Sequence, residues 1–187
     1  MSKKLAIIAL VCLYFSCQKT PEIKTKYNIL NEQERAILKD EILEDRFINL
    51  LPQLMDDADI DMWLLISREY NEDPILKTML PATWLNARRR TIIVFFRDKS
   101  KNTLERMAVA RYNIGKSIQS VWDKEKEPNQ WKALAEIIKE RNPEKIGINM
   151  SKYFALADGL VKTDYDELFE NLPTAYRSEE HTSELQS

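Results

Sequence analysis

The chain is poor in the residues that most often carry out chemistry in small proteins. Its 187 residues include one histidine, two cysteines and three glycines. The histidine, His181, and the cysteines, Cys12 and Cys17, all lie near the two ends. Ser-His-Asp and Cys-His catalysis need an imidazole base, and zinc sites normally use Cys or His ligands. The long central stretch therefore argues against both kinds of site, and its isolated glycines argue against a phosphate-binding loop.

Neither sign of charge dominates the chain. Lys and Arg together number 28 against 30 Asp and Glu, which gives a formal net charge of -2. A general nucleic-acid binder normally carries a large basic excess, so we expect no nucleic-acid partner. Hydrophobic residues make up 44% of the chain and charged residues 31%, a composition typical of a globular protein.

The beginning of the chain has the pattern of a secretory leader. Lys3 and Lys4 precede an apolar run over residues 5–15, which is shorter than the roughly 20 residues needed to cross a bilayer. Ser16 followed by Cys17 resembles a bacterial lipoprotein processing site. We therefore predict a signal peptide over 1–16, a lipid on Cys17 and a linker over 17–30. This anchor would hold the protein in the bacterial cell envelope, facing the periplasm; the alternative is a plain signal peptide with an incidental cysteine.

The end of the chain carries a second distinctive pattern. Residues 177–187, RSEEHTSELQS, resemble the translation of a common sequencing-library adapter. We interpret them as an artefactual tail, the alternative being a polar, solvated C-terminus. Without that tail the chain has no histidine, and the predicted domain spans residues 31–176.

Two strongly apolar segments predict the centre of a sheet. Residues 62–67 and 91–96 are apolar at nearly every position, as in strands covered on both faces. Weaker strands are predicted at 106–111 and 145–149. Together with the helices between them, these segments predict a mixed α/β fold in which helices pack on a central sheet.

Three helices are predicted from apolar periodicity. The first has a stripe made of Phe47, Leu50, Leu51 and Leu54; because Pro52 interrupts it, a break or a second short helix is expected near Leu51. The second carries Trp131, Leu134, Ile137 and Ile138 and ends at Asn142 and Pro143. The third is predicted to open with a capping box over residues 163–166 and to turn Tyr165, Leu168, Phe169 and Leu172 inward.

Three clusters have both a structural and a functional interpretation. Asp56, Asp57, Asp59 and Asp61 predict a solvated turn, with a carboxylate metal site as the alternative. Residues 88–90, three arginines, predict a charged strand edge, with an anionic partner as the alternative. The tryptophans Trp63, Trp84, Trp122 and Trp131 are interpreted as core or interface aromatics rather than stacking platforms for bases.

A family resemblance is carried by the segment from 61 to 97. Four strings carry it. They are LPQLM at 51–55, DMWLLISREYNEDP at 61–74, LPATW at 80–84 and RRRTIIVFF at 88–96. This pattern resembles the N-terminal creatinase/prolidase-like domain of Xaa-Pro aminopeptidases, in the M24 metallopeptidase family. The likeness extends over roughly residues 31–176.

The resemblance implies a domain without a catalytic site. In that family the N-terminal domain carries no metal ligands, and two divalent metal ions lie in a C-terminal pita-bread domain. We therefore expect no catalytic residue, metal or cofactor here, and an exported parent enzyme that releases residues ahead of proline. The domain would contribute to a homo-oligomer and to the substrate entrance, where Arg68 and Tyr70 would bind one end of the peptide substrate.

Other interpretations stay open. Their own chemistry favours interpreting the loop residues Arg68, Glu69, Glu72 and Asp73 as a solvated, mutually paired group. The whole chain could instead be a membrane-anchored module that binds a peptide or protein over residues 68–84. A third possibility is a stand-alone enzyme with a metal at the aspartate cluster.

Overall fold

The computed structural model describes residues 29–177 and the backbone of Thr182–Glu184. The predicted signal peptide and the predicted lipid site at Cys17 lie outside the described residues. The chain divides into two units, Met1–Asn31 and Glu32–Ser187. All helices and strands given below belong to the second unit.

The described residues form one mixed sheet. Its strands are β1 (Met62–Arg68), β2 (Arg90–Asp98), β3 (Thr103–Ala108), β4 (Gln119–Ser120), β5 (Ile146–Ile148) and β6 (Thr182–Glu184). Their order across the sheet is β4-β3-β2-β1-β5-β6. The β1–β2 and β2–β3 pairs are antiparallel, and the β3–β4, β1–β5 and β5–β6 pairs are parallel. β6 lies within the segment predicted to be an artefactual tail.

Helices connect these strands. They are α1 (Glu32–Asp45), α2 (Leu51–Asp57), α3 (Pro74–Thr78), α4 (Gln130–Arg141) and α5 (Lys162–Asn171). A π-helical turn, Arg46–Leu50, joins α1 to α2, and 3-10 turns occupy Ala155–Ala157 and Thr174–Tyr176. Within the described part of the chain, none of the helices is both long and apolar enough to span a bilayer.

Strand β1 lies between two hydrophobic cores. Trp63 and Leu65 join a cluster that includes Phe47 from the π-helical turn. Met62 and Leu64, on the opposite face of the strand, join a cluster that includes Leu134 from α4. Because successive side chains of a strand point to opposite faces, a strand that is apolar throughout requires cover on both sides. The predicted mixed α/β fold, with helices packed on a central sheet, is confirmed.

The predicted apolar stripe of the first helix is partly wrong. Phe47 and Leu51 are buried, but Leu50 is 46% exposed and Leu54 is 51% exposed. The buried set is instead Leu43, Phe47, Leu51 and Met55, spaced four residues apart. Four residues overshoot one α-helical turn of 3.6 by about 40°, and the wider π-helical turn takes up this excess. The turn also lies just before Pro52, which has no N–H to donate to a preceding carbonyl.

The helix predicted around Trp131 forms as expected. Asn129 caps α4, because its side-chain oxygen accepts hydrogen bonds from the backbone N–H groups of Trp131 and Lys132. At the other end Asn142 adopts a left-handed conformation with φ 45°, and Pro143 follows it. Asn tolerates this conformation better than most residues, so the Asn-Pro pair ends the helix as predicted.

Candidate ligand-binding cavity

Arg68, one of the two predicted site residues, is held by a buried carboxylate. It is the last residue of β1, and its Nε and Nη2 donate to the Asp164 carboxylate of α5 at 2.9 and 2.7 Å. Hydrogen bonding to that carboxylate raises the pKa of Arg68 above its ordinary value. The side chain of Arg68 remains 38% exposed, so one part of it is fixed while another faces solvent.

The capping box predicted at the start of α5 does not form. Val161 is the N-cap residue, and no side chain caps this helix. Asp164 instead accepts hydrogen bonds from Arg68 and, at 3.0 Å, from Nε of Arg90. Two guanidinium groups compensate this buried carboxylate, which explains why it faces the sheet rather than the helix end.

Tyr70, the other predicted site residue, is on an exposed loop. Its side chain is 88% exposed, and its φ of 68° lies in the left-handed region. Glu72 accepts from the Tyr70 N–H, and Glu69 accepts from the Arg89 N–H outside the loop. Asp73 is buried and caps α3 through the Ile75 N–H. The alternative of a solvated, mutually paired loop is therefore wrong for Arg68, which pairs with Asp164, and for Asp73, and the two glutamates accept backbone N–H groups rather than pairing with Arg68.

A cavity of about 510 Å³ opens beside Arg68. We call it the arginine–aromatic cavity, and its walls come from the ends of β1, β2 and β3 and from the start of α4. Its lining residues are Arg68, Trp84, Arg88, Arg89, Arg90, Thr91, Ala110, Arg111, Tyr112, Trp122 and Gln130. Of the two predicted site residues, Arg68 lines it and Tyr70 does not.

Stacking on aromatic rings orients two of the arginines. The Arg88 guanidinium lies 4.4 Å from the ring centroid of Trp84 and 5.3 Å from that of Tyr112. Arg90 lies 4.6 Å from the ring of Trp131. Such cation–π contacts restrict the plane of the guanidinium group while leaving its edge N–H donors available.

The backbone around the three consecutive arginines is fixed by the loop that follows β1. The Glu69 N–H donates to the Arg89 carbonyl at 2.7 Å, and the Arg88 N–H donates to Oγ1 of Thr91 at 3.0 Å. Arg89 itself has a φ of 55°. This arrangement turns Arg88 and Arg90 toward the cavity at the point where β2 begins.

The cavity has a surplus of positive charge. It is lined by five arginines and by no acidic residue, and Asp164 neutralises part of the charge of Arg68 and Arg90 from behind. Within residues 29–177, Arg88 and Arg111 have no ion-pair partner. Guanidinium groups bind carboxylate and phosphate oxygens through paired N–H donors, so this arrangement can bind an oxyanion.

The sequence interpretation missed how these residues meet. Residues 88–90 were predicted to form a charged strand edge, and Trp84 and Trp122 to be core or interface aromatics. Trp84 is indeed only 8% exposed, yet it also lines the cavity. The spacing of four residues between Trp84 and Arg88 could have indicated their contact. Arg111 and Tyr112 lie on a loop distant in sequence, and no local pattern connects that loop to Trp84 and Arg88.

Three of the four aspartates in the cluster before β1 are paired with basic side chains. Asp56 contacts Arg97 at 3.0 Å, and Asp61 contacts Lys99 at 3.4 Å. Asp59 contacts both Lys99 and Lys145, and hydrogen bonding to Lys145 lowers the pKa of Asp59. No group of three or more His, Cys, Asp or Glu side chains is placed to hold a metal ion within the described part of the chain.

Comparisons with known proteins give a structural likeness but no match in sequence. No protein-family model matches the chain, and no curated protein matches it in sequence. Among solved structures it is similar to the Xaa-Pro dipeptidase from Bacillus anthracis, with 17% sequence identity and a TM-score of 0.44. The match covers 81% of this chain and 34% of the dipeptidase. The chain thus spans about a third of the length of that solved structure.

Proposed function

We propose that the chain is the non-catalytic N-terminal domain of an exported M24-type metallopeptidase that acts on Xaa-Pro peptides. The observation that carries this proposal is that the segments bearing the sequence resemblance fold into one continuous unit. Residues 61–74 supply β1, the loop after it and the first residue of α3. Residues 88–96 supply most of β2, which pairs with β1 over the whole length of β1. Both cores are built on this pair of strands.

The metal ions of such an enzyme would belong to another domain. Residues 29–177 do not fit a two-metal site, because they bring together no cluster of three potential metal ligands. The proposal therefore assigns the metal ions and the cleavage of the peptide bond to a following catalytic domain. No step of that reaction is derived for this chain.

The role proposed for Arg68 is to bind one end of the peptide at the substrate entrance. Its contacts with Asp164 use Nε and Nη2, and Nη1 has no hydrogen-bond partner among residues 29–177. The buried carboxylate fixes the guanidinium plane, which favours binding of a peptide carboxylate through the remaining N–H donors. Tyr70, exposed on the adjacent loop, would contact the same end of the substrate.

Subunit contact is the second role proposed for the domain. Exposed apolar side chains are concentrated on α1 and the π-helical turn: Ile37, Leu38, Ile42, Ile48 and Leu50 are each more than 40% exposed. Groups of exposed apolar residues commonly mark protein interfaces. This surface supports a homo-oligomer of the intact enzyme.

The cavity supports a second candidate function, a ligand-binding module anchored to the membrane through Cys17. In this alternative the surface between Arg68 and Trp84 would bind a peptide or protein without any catalytic domain. The genomic reading frame beyond Tyr176 discriminates the two candidates. Continuation into a domain with spaced Asp, His and Glu ligands supports the peptidase, and a stop codon supports the module.

The kinetic test uses the full-length enzyme encoded by that frame. Arg68→Ala should lower kcat/KM for an Xaa-Pro peptide by about tenfold, chiefly through KM, because a charge-assisted contact to substrate is lost. Arg90→Ala is the matched control, since it also loses an ion pair with Asp164 but has no proposed contact with substrate. Equal kinetics in the two variants, or peptide cleavage by the 187-residue chain alone, would contradict the proposal.

A further inference from the structure

We propose that the arginine–aromatic cavity binds a small ligand carrying at least two oxyanion groups, carboxylate or phosphate, through Arg88 and Arg111. This inference goes beyond the proposed function, because it concerns a site formed by this domain alone. It holds whether or not a catalytic domain follows. Its test is therefore independent of any peptidase activity.

Arg88 supplies an oriented binding group. Its guanidinium lies against Trp84 and Tyr112, and among residues 29–177 its side-chain N–H groups donate to no acceptor. The side chain is exposed, so the two rings restrict its plane without enclosing it. An arginine held in this way loses less side-chain freedom when it binds an oxyanion than an unrestrained lysine would.

Arg111 supplies the second binding group from the loop after β3. It is exposed, lines the same cavity, and has no ion-pair partner within the described residues. Two acidic residues, Asp123 and Glu125, line a neighbouring cavity together with Arg111. Asp123 is paired with Lys126 at 3.3 Å, and neither acid forms an ion pair with Arg111. The positive charge of Arg111 is therefore left for a ligand.

The wall beside these groups is held by ion pairs and remains electropositive. Arg68 and Arg90 share the buried carboxylate of Asp164, and Glu167 adds a smaller attraction at Arg68. Arg89 adds a further exposed cation at the rim. A cavity with this balance of charge favours a ligand with more than one negative charge over a single monovalent anion.

The size of the cavity favours a molecule rather than a simple ion. Its volume of about 510 Å³ lies within the roughly 300–1,000 Å³ typical of small-molecule sites. Trp84, Tyr112 and Trp122 provide apolar surface for the body of such a molecule. The donors for its oxyanion groups come from guanidinium edges, which pair with carboxylate and phosphate alike.

The test is calorimetric titration of the full 187-residue chain at low ionic strength. Citrate serves as the polycarboxylate probe, pyrophosphate as the phosphate probe and acetate as the monovalent reference. We expect one-to-one binding of citrate or pyrophosphate and no saturable binding of acetate. Tighter binding of citrate identifies the natural ligand as a carboxylate compound, and tighter binding of pyrophosphate identifies it as a phosphate compound.

Variants locate the binding site. Arg88→Ala and Arg111→Gln should each reduce the association constant about tenfold. Arg35→Ala removes an exposed arginine that does not line the cavity and should leave binding unchanged. Arg88→Lys keeps the charge but loses the planar group, so its affinity should be intermediate. Arg111 makes no ion pair within the described residues, so Arg111→Gln should not destabilise the fold. This variant therefore stays informative even if the Arg88 variants unfold.

Two results would overturn the inference. One is the absence of saturable binding for both citrate and pyrophosphate. The other is an equal effect of Arg111→Gln and Arg35→Ala on the affinity of whichever probe binds, because general charge attraction would then account for the binding.

Discussion

Asp164, on α5, has a buried carboxylate that accepts hydrogen bonds from arginines on two neighbouring strands. Arg68 ends β1 and Arg90 begins β2, and both donate to the same side chain. Two adjacent guanidinium groups would repel each other without it. Asp164 thus holds α5 against the sheet and fixes the positions of Arg68 and Arg90 in the cavity wall.

Removing the charge of Asp164 should therefore destabilise the fold. We expect Asp164→Asn to lower the free energy of unfolding by about 3 kcal/mol, because two partly buried cations lose their counter-ion. Urea denaturation measures this change. Asp166→Asn on the same helix is the control: it breaks only the exposed pair with Lys162, for which we expect about 0.5 kcal/mol or less. Similar losses in the two variants would contradict the role given to Asp164.

A second buried carboxylate, Asp73, should leave a signature in the pH dependence of stability. Burial raises the pKa of Asp73 above its ordinary value of 3.8, although Asn149 and the α3 backbone oppose the shift. The native state then binds its proton more tightly than the unfolded state. The contribution of Asp73 to stability is therefore greatest at low pH and decreases as the pH rises through and above 3.8.

The difference between wild type and Asp73→Asn isolates this contribution. The free energy of unfolding of wild type relative to the variant should fall as the pH is raised from about 3 to 7. Urea denaturation at a series of pH values provides the measurement. A difference that is constant, or that rises with pH, would show that burial does not control the titration of Asp73.

At the scale of elements, the π-helical turn decides which residues of the first helix reach the core. Regular α-helical periodicity predicts a stripe containing Leu50 and Leu54, whereas a spacing of four selects Leu43, Phe47, Leu51 and Met55. Pro52 indicates that the helix is irregular at this point. It does not indicate whether the irregularity is a break or a wider turn, because a proline is found at both. Strands β1 and β2 are predictable because their apolar runs are continuous.

Substitutions on either side of the stripe test this arrangement. Phe47→Ala should lower the free energy of unfolding by about 3–5 kcal/mol, because Phe47 is fully buried and packs 5.6 Å from the ring of Phe95. Leu50→Ala, three residues away but half exposed, should change it by less than about 1 kcal/mol. Comparable losses at both positions would favour the regular helical stripe.

At the scale of the whole molecule, the fold class follows from sequence more readily than the site. Continuous apolar strands and the Asn-Pro helix end are local patterns, and each forms as predicted. The cavity depends on residues from four separate elements, and the carboxylate behind its wall, Asp164, is predicted from the sequence to belong to a helix cap. Only the packing of α5 against the sheet brings Asp164 to Arg68 and Arg90.

The proposed placement of the molecule in the cell envelope depends on the predicted lipid at Cys17 and is tested by lipid labelling in a bacterial host. Wild-type chain should incorporate a labelled fatty acid and fractionate with membranes, and Cys17→Ser should do neither. Cys12→Ser is the control, because this cysteine lies inside the apolar run and should not affect labelling. Loss of label in both variants, or in neither, would contradict a lipid on Cys17.

The position of two tryptophans in the cavity wall has a practical consequence. Trp84 and Trp122 line the cavity, whereas Trp63 lies in the core beside Phe95. A molecule that bound in the cavity would change the surroundings of the first two indoles, whereas Trp63 and the buried Trp131 do not line it. The protein therefore carries its own optical reporter: intrinsic fluorescence can follow occupancy in real time without an attached dye, and Trp122→Phe tells which indole responds.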